Sequence, residues 1–271
     1  MLNGFYDIPD EEWRKVNIKS NFHTHNYLCG HAGGTACEYV KEAVKCGLET
    51  IGLSDHCLSP LGGVEPYVTP QTMGSLYLSQ IDKAKKRYGD RIRILSAVEI
   101  EYFDGQDAYY DKLLDKLDYI VLGQHEFMCD GTLCNSFTDG VDERHVVSYF
   151  DTVKAALVTG IYSVLAHPDL IFYRRPPVTD GMAQAFDDVV RTAAECGVAV
   201  ELNANGIRSH AFRYPTDLLI ELCKKYDAAV VVSSDCHAPH ILCDEYVRRL
   251  HAYAVRNGLK VVDDIRLPRR K

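Results

Sequence analysis

The chain contains no cysteine pair at C-x-x-C spacing, although it holds ten cysteines. That absence removes the zinc-ribbon and dithiol redox signatures. At 271 residues and 46% hydrophobic content the chain can bury a core without disulfides, so free thiols in a reducing compartment are expected. There is also no apolar run of about 18 residues, the length a membrane-spanning helix needs. The acidic stretch from Met1 to Trp13 has no apolar core of a secretory signal. A soluble, cytoplasmic protein is the expectation, with no membrane partner. Positive charge is short as well: 30 Lys and Arg face 38 Asp and Glu, a net −8, which argues against nucleic acid as a partner. Repeats, linkers and low-complexity segments are lacking, so residues 1–271 read as a single domain. The oligomeric state is left open.

What is present is a regular alternation of apolar strands and helices. Strands are expected near Val16 to His25, Thr50 to Ser54, Arg93 to Ile100, Tyr119 to Gly123, Ser163 to Ala166, Val198 to Asn203 and Ala229 to Ser234. Between them fall helices near 38–46, 73–88, 107–117, 142–159, 180–196 and 215–226, with a last one over 242–257. Thr35 and Glu38 form a capping-box pattern, and Gly47, Gly89, Gly160, Gly197 and Gly258 mark helix ends. Residues 57–72 and 128–141 read as long loops beside a site. Continuous apolar strands suit parallel strands covered on both faces.

Polar residues recur at the C-terminal end of each strand but the sixth: His23 and His25, His56, Glu99, His125, His167, and Asp235 with His237. Such ends converge only if the sheet closes, so a barrel of seven (β/α) units is preferred over an open sheet. Within His23-Thr24-His25 and Asp235-Cys236-His237, residues two apart share a strand face and can meet one ion. His31 follows from the loop after the first strand. These nine donors exceed what one ion takes, so two or three divalent ions are expected. Imidazole and carboxylate without thiolate suit zinc, iron or manganese, and the donor set does not choose among them.

The pattern His23-x-His25-x5-His31, with Ser54-Asp55-His56, Leu165-Ala166-His167-Pro168-Asp169 and Ser234-Asp235-Cys236-His237, resembles the motifs of the polymerase and histidinol phosphatase (PHP) family. The resemblance spans about residues 19 to 240. Val98 to Tyr102, Gly123-Gln124-His125 and Glu201 to Arg208 are similar to the histidinol-phosphatase branch. The resemblance implies a distorted (β/α)7 barrel and a trinuclear centre. It would place His23, His25, Glu99 and Asp235 on one ion. Glu99 would bridge to a second, shared with His125 and His167, and His31, His56 and His237 would hold the third. One departure is that Ala238 to Cys243 lacks the acidic residue expected in that branch.

Clustered divalent ions make hydroxide available near neutral pH and neutralise phosphoryl oxygens, so no protein nucleophile is needed. The expected activity is hydrolysis of a small phosphomonoester by metal-bound hydroxide, with L-histidinol phosphate the leading substrate. Glu99, Asp235 and Arg208 are the expected catalytic residues. Another substrate, a nucleotide, sugar phosphate or phosphodiester, is the alternative, and an amidohydrolase the more distant one. Arg174, Arg175 and Arg208 are candidate phosphate contacts, because guanidinium forks match phosphate geometry. Arg208 is favoured by the resemblance. Glu101, two residues from Glu99, could hold a cationic amine or orient a ligand histidine. His210 is either a proton donor to the leaving group or a surface residue. Asp55 and Asp169 read as orienting groups or helix caps.

Overall fold

The computed structural model describes residues 2–61, 68–69, 72–137, 142–173, 177–209 and 214–268. Parallel strands follow one another in chain order around a ring. β1 (Ser20–Asn21) pairs with β2 (Thr50–Leu53), and β2 with β3 (Arg93–Ser96). β4 (Glu99–Ile100) pairs with β5 (Val121–Leu122). A separate antiparallel hairpin follows, β6 (Glu126–Cys129) and β7 (Thr132–Asn135). β8 (Val164–Leu165), β9 (Ala199–Asn203) and β10 (Ala229–Ser233) then continue the parallel order from β5. A parallel bridge between His56 and Glu99 joins the two sheets. Another, between Thr24 and Cys236, joins the first strand to the last, with the His25 N–H donating to Cys236 O at 3.0 Å. This is the distorted, TIM-like barrel architecture.

The third strand, expected to be continuous, is broken. Its ladder with β2 ends at the Leu53–Ser96 pair, and Glu99 re-enters pairing with Val121 on the other side. Tyr77 serves the broken stretch. Its hydroxyl lies 2.7 Å from Leu53 O and 2.6 Å from Ala97 O, and accepts from the Asp55 N–H at 3.1 Å.

Helices fall close to expectation. The helix Ala36–Cys46 carries the Thr35/Glu38 capping box, and Gly47 closes it in the left-handed region at φ 83°. Those at Asp107–Leu114, Glu143–Val158, Asp180–Cys196, Asp217–Lys225 and Glu245–Arg256 match within a few residues. The helix expected at 73–88 begins as a π-helical segment, Met73–Leu78, before Ser79–Tyr88.

Two apolar layers result from the alternation of strand residues. Inside the barrel, Phe22, Leu95, Ala97, Tyr119, Val121, Val164, Ala166, Ala199 and Val231 pack together, and the larger core lies between strands and helices. A feature absent from the expected pattern closes the barrel floor. β11 (Lys260–Val261) pairs with the start of β10, and Ile265 buries itself in the inner cluster. Arg266 donates to Gly160 O and Tyr162 O, and Arg93 pairs with Asp264 at 3.1 Å, pinning that segment. The ten cysteines are free thiols; Cys223 is buried, while Cys46 and Cys196 are half-buried. Among the described residues no helix is long and apolar enough to cross a membrane.

Candidate metal centre

All nine expected donors meet at the C-terminal mouth of the barrel. Glu99 lies at their middle, fully buried, and its two oxygens face different partners. Oε2 is 3.4 Å from His23 Nε2, 3.6 Å from His25 Nε2 and 3.0 Å from His56 Nδ1. Oε1 is 3.0 Å from His167 Nε2 and 3.7 Å from His125 Nε2. A carboxylate with one oxygen toward each of two imidazole groups has the form of a bridge. Asp235 Oδ1 lies 3.0 Å from His25 Nε2 and 3.6 Å from His23 Nε2, completing the first group. The rings of His31 and His237 stack with centroids 4.9 Å apart, and His237 stacks on His25 at 4.4 Å. Groups of donor atoms close enough to share an ion include His23, His25 and Asp235; His23, Glu99 and His167; and His25, His56 and His237. Two donors have left-handed backbone, His167 at φ 29° and Asp235 at φ 44°, where non-glycine residues carry strain.

Behind these donors stands a further layer of carboxylates. Glu201 Oε1 is 2.8 Å from His23 Nδ1, while its Oε2 accepts from the His167 N–H at 2.9 Å and from Asn203 Nδ2 at 2.9 Å. Glu101 Oε1 is 3.0 Å from His125 Nδ1. Asp55 Oδ1 is 3.5 Å from His25 Nδ1. A carboxylate at Nδ1 holds the proton there and leaves the Nε2 lone pair toward the centre. Glu101 thus stands where the orienting one of its two expected places would put it, and Asp55 lies beside the His25 ring. Glu201 was not singled out as a site residue. Its signal was a charged side chain inside Val198-Ala199-Val200-Glu201-Leu202, where burial demands a partner.

The model of the family described as PHP domain matches residues 21–205. The chain belongs to the PHP domain family. A Deinococcus radiodurans protein named "Probable histidinol-phosphatase" is 26% identical over 226 residues, covering 80% of this chain and 85% of its own. The Bacillus subtilis histidinol-phosphatase is 23% identical, over 81% of this chain and 93% of its own. The crystal structure of Lactococcus lactis histidinol phosphate phosphatase, complexed with zinc, L-histidinol and phosphate, is similar in fold. Its TM-score is 0.69 at 17% identity, covering 92% of this chain and 99% of that one. This PHP protein is a metal-dependent hydrolase of phosphomonoesters.

The residues of the PHP centre fit divalent cations. His23 and His25 bring their Nε2 atoms within 3.0 Å of each other, and among the described residues no hydrogen-bond donor serves the buried Glu99 Oε2. Burial alone would lower the pKa of His23, yet Glu201, Glu99 and Asp235 raise it well above its usual value. Burial opposes His25 too, but hydrogen bonds to Asp235 and Asp55 carry it up to about 9. In other words, the carboxylates call for positive charge that protons alone would have to supply. Burial, then the neighbouring His25, pushes His56 and His237 down to about 4, leaving both as neutral imidazoles ready to ligate. Burial would raise Glu99 and Asp235, but the surrounding histidines hold both well below the usual carboxylate range.

A cavity of about 430 Å³ opens over the PHP centre. Seven of the nine donors line it, with His23 and His25 buried beneath, and among the described residues Asn135, Phe137, Leu170, Asn205 and Tyr214 join them in the wall. None of these five was foreseen. Arg208 departs from the expected phosphate contact. Its Nε and NH2 bind both oxygens of Asp244, at 2.7 and 3.2 Å, and it does not line the cavity. Arg174, Arg175 and His210 lie outside the described residues. Asp169 accepts from the Thr216 N–H at 2.5 Å and fixes the turn after Tyr214. The spacing Cys243-x5-Arg249 leads into the helix Glu245–Arg256, and Cys243 has its pKa pushed up, first by Cys46 and then by burial. That is no phosphate-binding loop with a reactive thiolate.

Proposed function

We propose that this PHP phosphatase hydrolyses L-histidinol phosphate to L-histidinol and phosphate, using two or three divalent ions drawn from zinc, iron and manganese. The observation that carries the reading is Glu99 buried between two groups of imidazoles, directly under a cavity of about 430 Å³. That volume falls in the range of small-molecule pockets and is a confined space for a folded polymer or a duplex. Histidinol phosphate is favoured because the Deinococcus and Bacillus relatives carry histidinol-phosphatase names and the Lactococcus structure holds zinc, L-histidinol and phosphate.

Bound divalent ions supply an acidic water and positive charge for phosphoryl oxygens. His23, His25, Glu99 and Asp235 would hold one, Glu99 with His125 and His167 another, and His31, His56 and His237 a third. Glu201 and Glu101 keep the rings of His23 and His125 turned with Nε2 inward, and Asp55 lies 3.5 Å from Nδ1 of His25. The cavity wall of Phe137, Leu170 and Tyr214 gives the leaving alcohol an apolar and aromatic surface. Phosphate release measured over a panel of monoesters, with L-histidinol phosphate beside nucleotides and sugar phosphates, tests the substrate. The highest kcat/KM should fall to L-histidinol phosphate. Equal or better turnover of a nucleotide or sugar phosphate would overturn the assignment.

A further inference from the structure

Arg208 donates with NH1 to Asn205 Oδ1 at 3.4 Å and to Ser234 O at 3.3 Å. Guanidinium has no acceptor, so the atom of Asn205 that faces it is the oxygen, and the amide nitrogen must point the other way. The other way is toward Asp235 Oδ2, at 3.4 Å, and the cavity that Asn205 lines. Neighbouring Asn203 spends both amide hydrogens inside the protein, on Glu201 Oε2 and Asp235 Oδ2 at 2.9 and 3.1 Å. Among the described residues, Asp235 is the one acceptor for the Asn205 amide nitrogen, which carries two hydrogens. The second can serve a ligand.

We propose that Asn205 donates a hydrogen bond to the phosphoryl group of the substrate, and that Arg208 acts through Asn205 by fixing which way its amide points. The inference rests on the phosphomonoester reading of the site. Asp244 makes the arrangement rigid: its two oxygens engage the Arg208 fork, and the Asp244 side chain also accepts from the Tyr246 and Val247 N–H groups. The guanidinium charge is compensated there, while its carbon sits 5.9 Å from the centre of the Tyr246 ring. A neutral donor is therefore delivered to the phosphate side, next to the carboxylate of Asp235. Asn205 touches substrate; Arg208 is a positioning residue.

The test measures inorganic phosphate binding to the metal-loaded protein by calorimetry, together with kcat and KM for the best monoester. Metal content and thermal stability are recorded for each variant. Asn205→Ala should weaken phosphate binding roughly ten- to hundred-fold, as expected for a lost hydrogen bond to a charged group, with metal content retained. Arg208→Lys should weaken it less, and should add nothing in the Asn205→Ala background. Unchanged phosphate affinity in Asn205→Ala would overturn the proposal. So would equal losses from Arg208→Lys in both backgrounds, since the guanidinium would then touch phosphate itself. A loss that tracks metal loss one for one would also overturn it, placing Asn205 in support of Asp235 alone. If the wild type releases phosphate from no monoester, the phosphomonoester reading itself fails, a result distinct from an active enzyme indifferent to Asn205.

Discussion

Gly123→Ala touches no donor atom, yet it should disable the centre. A Cβ at Gly123 would stand 2.0 Å from Glu99 Oε1 and 2.5 Å from its Cδ and Cγ. Ordinary contact needs about 3.5 Å, so the carboxylate would have to move by about 1.5 Å. It has nowhere to go, being buried with His23, His25, His56, His125 and His167 around it. Misplacing a reacting group by about 1 Å can cost on the order of 100-fold in rate, so kcat/KM should fall by at least that much. Bound metal should fall with it, while overpacking costs about 1–3 kcal/mol of stability, leaving the variant foldable. The assay pairs phosphate release with metal analysis of the purified variant. Gly74→Ala is the control, since among the described residues nothing lies within 4 Å of a Cβ there. Wild-type kcat/KM and full metal content in Gly123→Ala would refute the bridging place of Glu99.

Other consequences follow from the surrounding layers. Glu201→Gln should weaken metal affinity about 10- to 100-fold by loosening His23, as read by competition with a chelator; unchanged affinity would remove Glu201 from the site. In metal-stripped protein, burial opposes but Asp235 and Asp55 outweigh it, so folded His25 titrates at about 9 against 6.5 unfolded. Folded His125 is raised to about 8 in the same sense, with burial outweighed by Glu99 and Glu101. Their stabilisation is complete below pH 6.5 and lost as pH rises through 8 and 9, up to about 3 kcal/mol for His25. Denaturant melts of the stripped protein should therefore weaken from pH 6.5 to 9.5, and a flat profile would contradict the charge balance described. Tyr119→Phe strands the Phe22 carbonyl, which the hydroxyl reaches at 2.6 Å. It should cost about 1–3 kcal/mol in urea unfolding with kcat little changed; a large loss of kcat at full stability would mean Tyr119 reaches the chemistry.

The metal donors were legible because strand periodicity forces residues two apart onto one face, and strand ends in a closed sheet share one mouth. Thr24 and Cys236, the residues between the donors of the two pairs, meet each other in the bridge that joins first and last strands. Glu201 went unremarked as a site residue because strand six reads as an ordinary buried run, although a carboxylate there needs a partner. Residues 128–141 read as a loop in the sequence, yet Glu126–Cys129 and Thr132–Asn135 form a hairpin, for which Asp130-Gly131 carries the turn signal. Those residues have φ values of 50° and 78°, as a two-residue hairpin turn with both central residues left-handed requires. The barrel floor was illegible for another reason. Ile265 and β11 are too short to show periodicity, and their burial exists only once the barrel is closed. The place of Arg208 depends on Asp244, 36 residues away, which no local pattern could announce.

A centre of more than one ion should govern phosphate release through its loading. It is tested most directly by titrating zinc, iron or manganese back into chelator-stripped protein, with bound metal per chain and phosphate release from L-histidinol phosphate read at each step. Activity should be absent at the start, rise beyond the first equivalent, and level off at two to three ions per chain. Full activity in the stripped protein, or a plateau at a single equivalent, would contradict it.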